Sequence, residues 1–144
     1  MVLVEYSHRY EYRVFADNRF PILTVEIRNP NNRELAVEQD AFLDSGASRS
    51  IFGGEIPAML GLNLLDGQPW YFETNTGEGM EARIHTVQIV LPASEDEPVP
   101  APIALDLAFA LADVRRNLLG RDFFNLVQIG FRERQLAFFL LPSP

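Results

Sequence analysis

Hydrophobic positions along this chain recur mostly with a period of two, the spacing that puts alternate side chains on one face of a β-strand. Residues 8–15 alternate, with Tyr10, Tyr12 and Val14 on one side. Residues 22–27 are rich in β-branched side chains and read as a strand, and Arg28-Asn29-Pro30-Asn31-Asn32 supplies the turn that follows. Residues 34–43 read as a second strand, whose apolar positions Leu35, Val37, Ala41 and Phe42 crowd toward its C-terminal end. That gradient predicts a strand entering the core just before Asp44. Further strands are predicted over 70–73, 82–91, 103–111, 127–131 and 135–141, and short helices over 55–60, stopped by Gly61, and over 120–126. Thr74-Asn75-Thr76-Gly77-Glu78-Gly79 has the Gly and Asn content of a tight hairpin. Residues 92–102 hold four prolines and three consecutive acids, which a sheet interior excludes, so they form a loop. With no linker and no internal repeat, the pattern predicts one all-β domain over 1–144, with one or two short helices.

Composition narrows the function classes. The net charge of −8, with no Lys/Arg run, argues against nucleic acid and against anionic membrane surfaces, both of which need clustered cations. The absence of cysteine removes disulfides, thiolate catalysis and cysteine-ligated zinc. The two histidines, His8 and His85, have no ligand spacing, so no metal and no cofactor is expected, and both read as surface or half-buried strand residues. The start of the chain lacks a basic segment leading into an apolar one, and the apolar run 136–141 is far too short to span a bilayer. These features fit a cytoplasmic protein.

The sharpest chemical signal is Phe42-Leu43-Asp44-Ser45-Gly46-Ala47-Ser48. Asp, Ser and Gly are ordinary turn residues, and alone they would mark a surface turn. Here the acid directly follows an apolar strand end, and an ionisable group delivered toward an interior is costly unless it is bonded or in use. A second segment, Asn117-Leu118-Leu119-Gly120-Arg121-Asp122-Phe123-Phe124, reads as the opening of a short helix, with a core-facing Leu pair and an Arg-Asp pair at the surface. Gly77-Glu78-Gly79-Met80-Glu81-Ala82 matches a dinucleotide-binding pattern by letter only, because a β-branched strand follows where that motif needs a helix. Gly46-Ala47-Ser48-Arg49-Ser50 is not a nucleophile elbow, since Ser50 stands where the closing glycine is required.

In their order along the chain, the Asp44 box, the glycine hairpin and Leu118-Leu119-Gly120-Arg121-Asp122 resemble the retropepsin family of retroviral-type aspartic proteases, over about residues 20–140. The resemblance implies the barrel-like acid-protease half fold and an aspartic endopeptidase. Asp44 would be its catalytic residue, within an active-site loop of Ser45, Gly46, Ala47 and Ser48. It further implies a flap at Thr76, Gly77, Glu78 and Gly79 that closes over an extended peptide or protein substrate, and structural support from Gly120, Arg121 and Asp122. One box per chain implies a homodimer, since a two-fold axis supplies the same aspartate twice. Ser45 would then hydrogen-bond across the dimer. Retroviral members often carry an acid at the position of Ser48 to pair with the arginine, so the partner of Arg121 is open, with Asp122 or another acid available. The rival readings are a catalytically silent module of the same fold that binds peptides or dimerises, and a structural β-barrel with a chance turn motif.

Overall fold

A computed structural model describes residues 5–73, 76–94 and 97–142. The chain runs through β1 (His8–Glu11), β2 (Arg13–Phe15), β3 (Asn18–Phe20), β4 (Ile22–Asn29), β5 (Asn32–Leu43) and β6 (Ile51–Phe52). It continues through the short helix α1 (Ile56–Met59), β7 (Gln68–Glu73), β8 (Gly79–Val90), β9 (Ile103–Ala110) and β10 (Asn117–Leu119). Helix α2 (Arg121–Phe124), β11 (Gln128–Arg132) and β12 (Ala137–Leu141) follow. The architecture is mostly β with two short helices, as the alternation predicts.

Seven strands form one sheet in the order β4-β5-β10-β6-β9-β8-β7. Its two sides meet where β4 pairs antiparallel with β8 in the register Glu26↔Val90, Ile27↔Ile89 and Arg28↔Gln88, giving a ring of hydrogen-bonded strands. The twelve-residue β8 makes this possible, because its first half pairs with β7 and its second half with β4. The inward residues of the ring, among them Leu23, Val25, Ile27, Val87, Ile89 and Leu107, make the core together with Phe52, Phe109 and Phe123. Truncating a buried phenylalanine of this kind costs about 3–5 kcal/mol. Along β5 the burial rises toward the C-terminal end, and Ala41, Phe42 and Leu43 are buried.

Three predicted elements need correction. The expected strand over 8–15 breaks at Tyr12, and Val14, expected on the same side as Tyr10 and Tyr12, is exposed. Tyr12 is pinned inward instead, its amide bonded to the Leu136 carbonyl at 2.8 Å. The chain then forms the β2–β3 hairpin, whose tip residues Ala16 and Asp17 take φ of 50° and 63°. That backbone belongs to a tight hairpin turn, whose usual glycine is missing here, so Asp17-Asn18 was a weak signal for it. Residues 117–119 are the second correction: they form a strand, parallel to β5 and antiparallel to β6, and the helix starts only at Arg121. His8 is the third. It is buried, with Nε2 3.1 Å from the Pro98 carbonyl, so the proline loop is held against β1 at this point. The Tyr10 hydroxyl adds a bond to the Pro92 carbonyl. Among the described residues of that loop there is only a single Ser94↔Glu97 bridge, and residues 95 and 96 lie outside the description.

Strands β1, β12 and β11 form a separate antiparallel sheet that joins the two ends of the chain. Burial pushes the Tyr10 and Tyr12 phenols up to about 12, and the 2.5 Å bond from the Tyr12 hydroxyl to Glu133 adds to the shift at Tyr12. Both groups therefore favour the folded state most fully below the ordinary tyrosine value of 10.0, and this contribution disappears as pH rises through about 12. In an alkaline titration followed at phenolate wavelengths, Tyr10 and Tyr12 should ionise late and together with loss of structure. A variant carrying both Tyr10→Phe and Tyr12→Phe should lack that step.

Candidate active site

Asp44 stands immediately after β5, where the strand is held on both sides. The Leu43 amide bonds to the Pro21 carbonyl at 2.9 Å, and the Asp44 amide bonds to the Leu119 carbonyl of β10 at 2.9 Å. The carboxylate then orders its own loop. Asp44 Oδ1 accepts from the Gly46 amide at 2.8 Å, and the Ala47 amide donates to the Asp44 carbonyl at 3.2 Å. A Cβ at Gly46 would lie 3.1 Å from that same Oδ1, so any side chain there would crowd the carboxylate. Asp44 is half-buried and forms no ion pair with any described residue.

Residues 120–122 brace this loop from below, chiefly through backbone and Asp122. The Arg121 amide bonds to the Ala47 carbonyl at 2.8 Å. Gly120 passes so close that a Cβ would sit 2.6 Å from the Ala47 carbonyl oxygen. Its amide donates to Ser50 Oγ at 2.9 Å. Asp122 Oδ1 accepts from the Ser50 amide at 2.8 Å, from Ser50 Oγ at 2.7 Å and from the Phe123 amide at 2.9 Å. Asp122 is thus engaged by Ser50 and is not the partner of Arg121. The Arg121 side chain is exposed and in no ion pair among the described residues. Ser50, fully buried, was not legible as a site residue because its partners lie 70 and 72 positions away.

Above Asp44 lies a cleft of about 450 Å³. Its floor carries Asp44, Gly46, Ala47 and Ser48, and its walls include Ile51, Leu118, Trp70, Phe72 and Glu73. Arg49 fixes one wall, with its guanidinium 4.5 Å from the centre of the Trp70 ring and an Nη1 bond to the Asp106 carbonyl at 3.3 Å. Ser45 is exposed at the loop apex. Thr76, Gly77, Glu78 and Gly79 are exposed in the hairpin joining β7 to β8, with Gly77 at φ +81°, and none of the four lines this cleft. Thr74 and Asn75 lie outside the described residues. Arg49, in the loop before β6, and Trp70, within β7, belong to no motif, and nothing in the sequence pairs them.

No family model matches the chain, and no curated protein matches it in sequence. Among solved structures the chain is similar to a retropepsin-like aspartic protease from Rickettsia conorii, at 20% identity and a TM-score of 0.60, over 94% of this chain and 99% of that one. It is also similar to the EIAV protease complexed with the inhibitor HBY-793, at 16% identity and a TM-score of 0.45, over 78% of this chain and 92% of that one. The fold is therefore that of the retropepsin-like aspartic proteases.

Proposed function

We propose that this chain is one domain forming half of an aspartic endopeptidase, and that two copies join across a two-fold axis to bring two Asp44 carboxylates to one water molecule. The observation that carries the reading is the placement of Asp44. A carboxylate free of any described cation stands at the floor of a cleft, on a loop stapled to β10 and α2, in a fold shared with an aspartic protease. Such a carboxylate is oriented but not neutralised, as a general base requires.

Two carboxylates about 3 Å apart hold one proton between them, because both cannot ionise at that distance. The ionised one takes a proton from the water as its oxygen attacks the peptide carbonyl carbon. The protonated one donates to the carbonyl oxygen, giving a tetrahedral diol. The diol collapses with cleavage of the C–N bond, and the departing nitrogen takes a proton. Ser45, which is exposed beside Asp44, hydrogen-bonds to the partner loop in this dimer. The extended substrate pairs with backbone in the cleft, and the hairpin at Thr76–Gly79 acts as a flap that closes over it.

Because the site needs two chains, activity should depend on concentration. In a peptide-library digest across acid and neutral pH, the rate per subunit should be constant at high protein concentration. It should fall on dilution through the range where sedimentation shows the dimer dissociating. A protein that stays monomeric in sedimentation and still cleaves at an undiminished rate per subunit would overturn this reading.

A further inference from the structure

A second groove, of about 560 Å³, opens along the outer side of β5 and is lined by Phe42, two residues before Asp44, and by Asn117, next to Leu118 of the first cleft. Leu43 points into the core, so by strand alternation Phe42 lies on the opposite side of β5, about 7 Å along the chain from Asp44. Phe42 packs edge-on against Phe15, with ring centres 5.1 Å apart, and against Phe20 at 5.5 Å. The Arg116 guanidinium lies over this cluster, 4.7 Å from the Phe42 ring centre and 6.0 Å from that of Phe20.

The charges of the groove do not cancel. Its lining holds Arg13, Arg115 and Arg116 against Glu38 and Asp40. Arg13 and Asp40 satisfy each other through two bonds, of 3.1 and 2.8 Å, and Thr24 Oγ donates to the same carboxylate. That pairing holds the Asp40 carboxyl below its ordinary range. Arg115 and Arg116 form no ion pair with any described residue, leaving two free cations facing one free acid in a chain of net charge −8. A guanidinium seated over a ring and free of an ion pair keeps N–H donors available, and a carboxylate can take them through two parallel bonds.

We propose that Arg116, seated on Phe42, recognises an acidic side chain of the substrate, so that peptides carrying Glu or Asp near the cleaved bond are preferred. The apolar rings receive the methylene stem, and Arg116, with Arg115 beside it, receives the carboxylate. The proposal rests on the protease reading for the word substrate, but recognition of the acid can be measured without cleavage.

The test uses peptides identical except for Glu or Gln at each position flanking a central apolar pair. Binding is titrated by fluorescence anisotropy on the Asp44→Asn protein, and cleavage is measured with the unaltered protein. At one or more positions Glu should bind about 10-fold more tightly than Gln, as expected for a charge-assisted bond. Arg116→Gln should erase that ratio, Arg116→Lys should restore only part of it, and 0.5 M salt should shrink it, as screening of an ion pair requires. Equal binding of Glu and Gln at every position overturns the inference, whether or not cleavage occurs. A preference that survives in Arg116→Gln also overturns it. A Glu preference that disappears with Arg116, in a protein that cleaves nothing, upholds acid recognition and removes the protease reading instead.

Discussion

The Asp44→Asn protein should fold, dimerise and bind peptide like the unaltered chain, yet cleave at least about 10³-fold more slowly, the scale of losing a general acid–base pair. The substitution is close to isosteric. An Asn Oδ1 still accepts the Gly46 amide, so the 2.8 Å bond that orders the loop persists. What disappears is the capacity to take a proton from water and to hold the shared one. In a homodimer both copies are altered, so no ionisable group remains on the cleft floor. Adding excess Asp44→Asn subunit to the unaltered protein should also lower its activity, by drawing active subunits into mixed dimers with a single carboxylate. Peptide-cleavage rates, near-ultraviolet circular dichroism and sedimentation separate these effects. Full cleavage by a well-folded Asp44→Asn protein would place the chemistry elsewhere.

How much of this could be read before the structure depends on the length of each element and the reach of each contact. Strands β4, β5, β8 and β9 span eight to twelve residues, long enough for alternation to declare itself, and they carry most of the ring. Strands β6 and β10 have two and three residues and show no periodicity. They exist because each lies between two neighbours, β6 between β9 and β10, and β10 between β5 and β6. Those short strands position the loop at Asp44, so the least legible part of the fold lies next to its most legible residue. Asp44 itself was legible because an apolar strand ran straight into it. Asp122 was expected as a support from the family resemblance, but its partner Ser50 was not, because a serine 72 positions away looks like any other polar residue until the fold brings the two into contact. Arg121 shows the converse. The sequence directed attention to its side chain, while its amide makes the bond to Ala47.

The Ser50–Asp122 pair should carry the largest effect on stability outside the core. Asp122→Ala removes the acceptor of the Ser50 amide, the Ser50 hydroxyl and the Phe123 amide together, in a region where Ser50 is fully buried. Donors left unpaired in this way should cost about 2–4 kcal/mol, read as a lower midpoint in urea unfolding with an unchanged slope. Asp122→Asn should recover part of the loss. It keeps one acceptor oxygen at the position of Oδ1, but sets an amide nitrogen where the buried Oδ2 has no hydrogen-bond partner. Ser50→Ala should cost less than Asp122→Ala, since it strands the Gly120 amide and one side of the Asp122 carboxylate. The double substitution should fall short of the sum by about 1 kcal/mol or more, because the two side chains act as one brace. The same brace sets the position of Gly120, whose close approach to Ala47 leaves no room for drift. Cleavage by the fully folded Asp122→Ala protein should therefore drop at temperatures well below its melting point. Strictly additive stabilities, with cleavage unchanged, would mean that the loop under Asp44 is held by its backbone bonds to Leu119 and Arg121 alone.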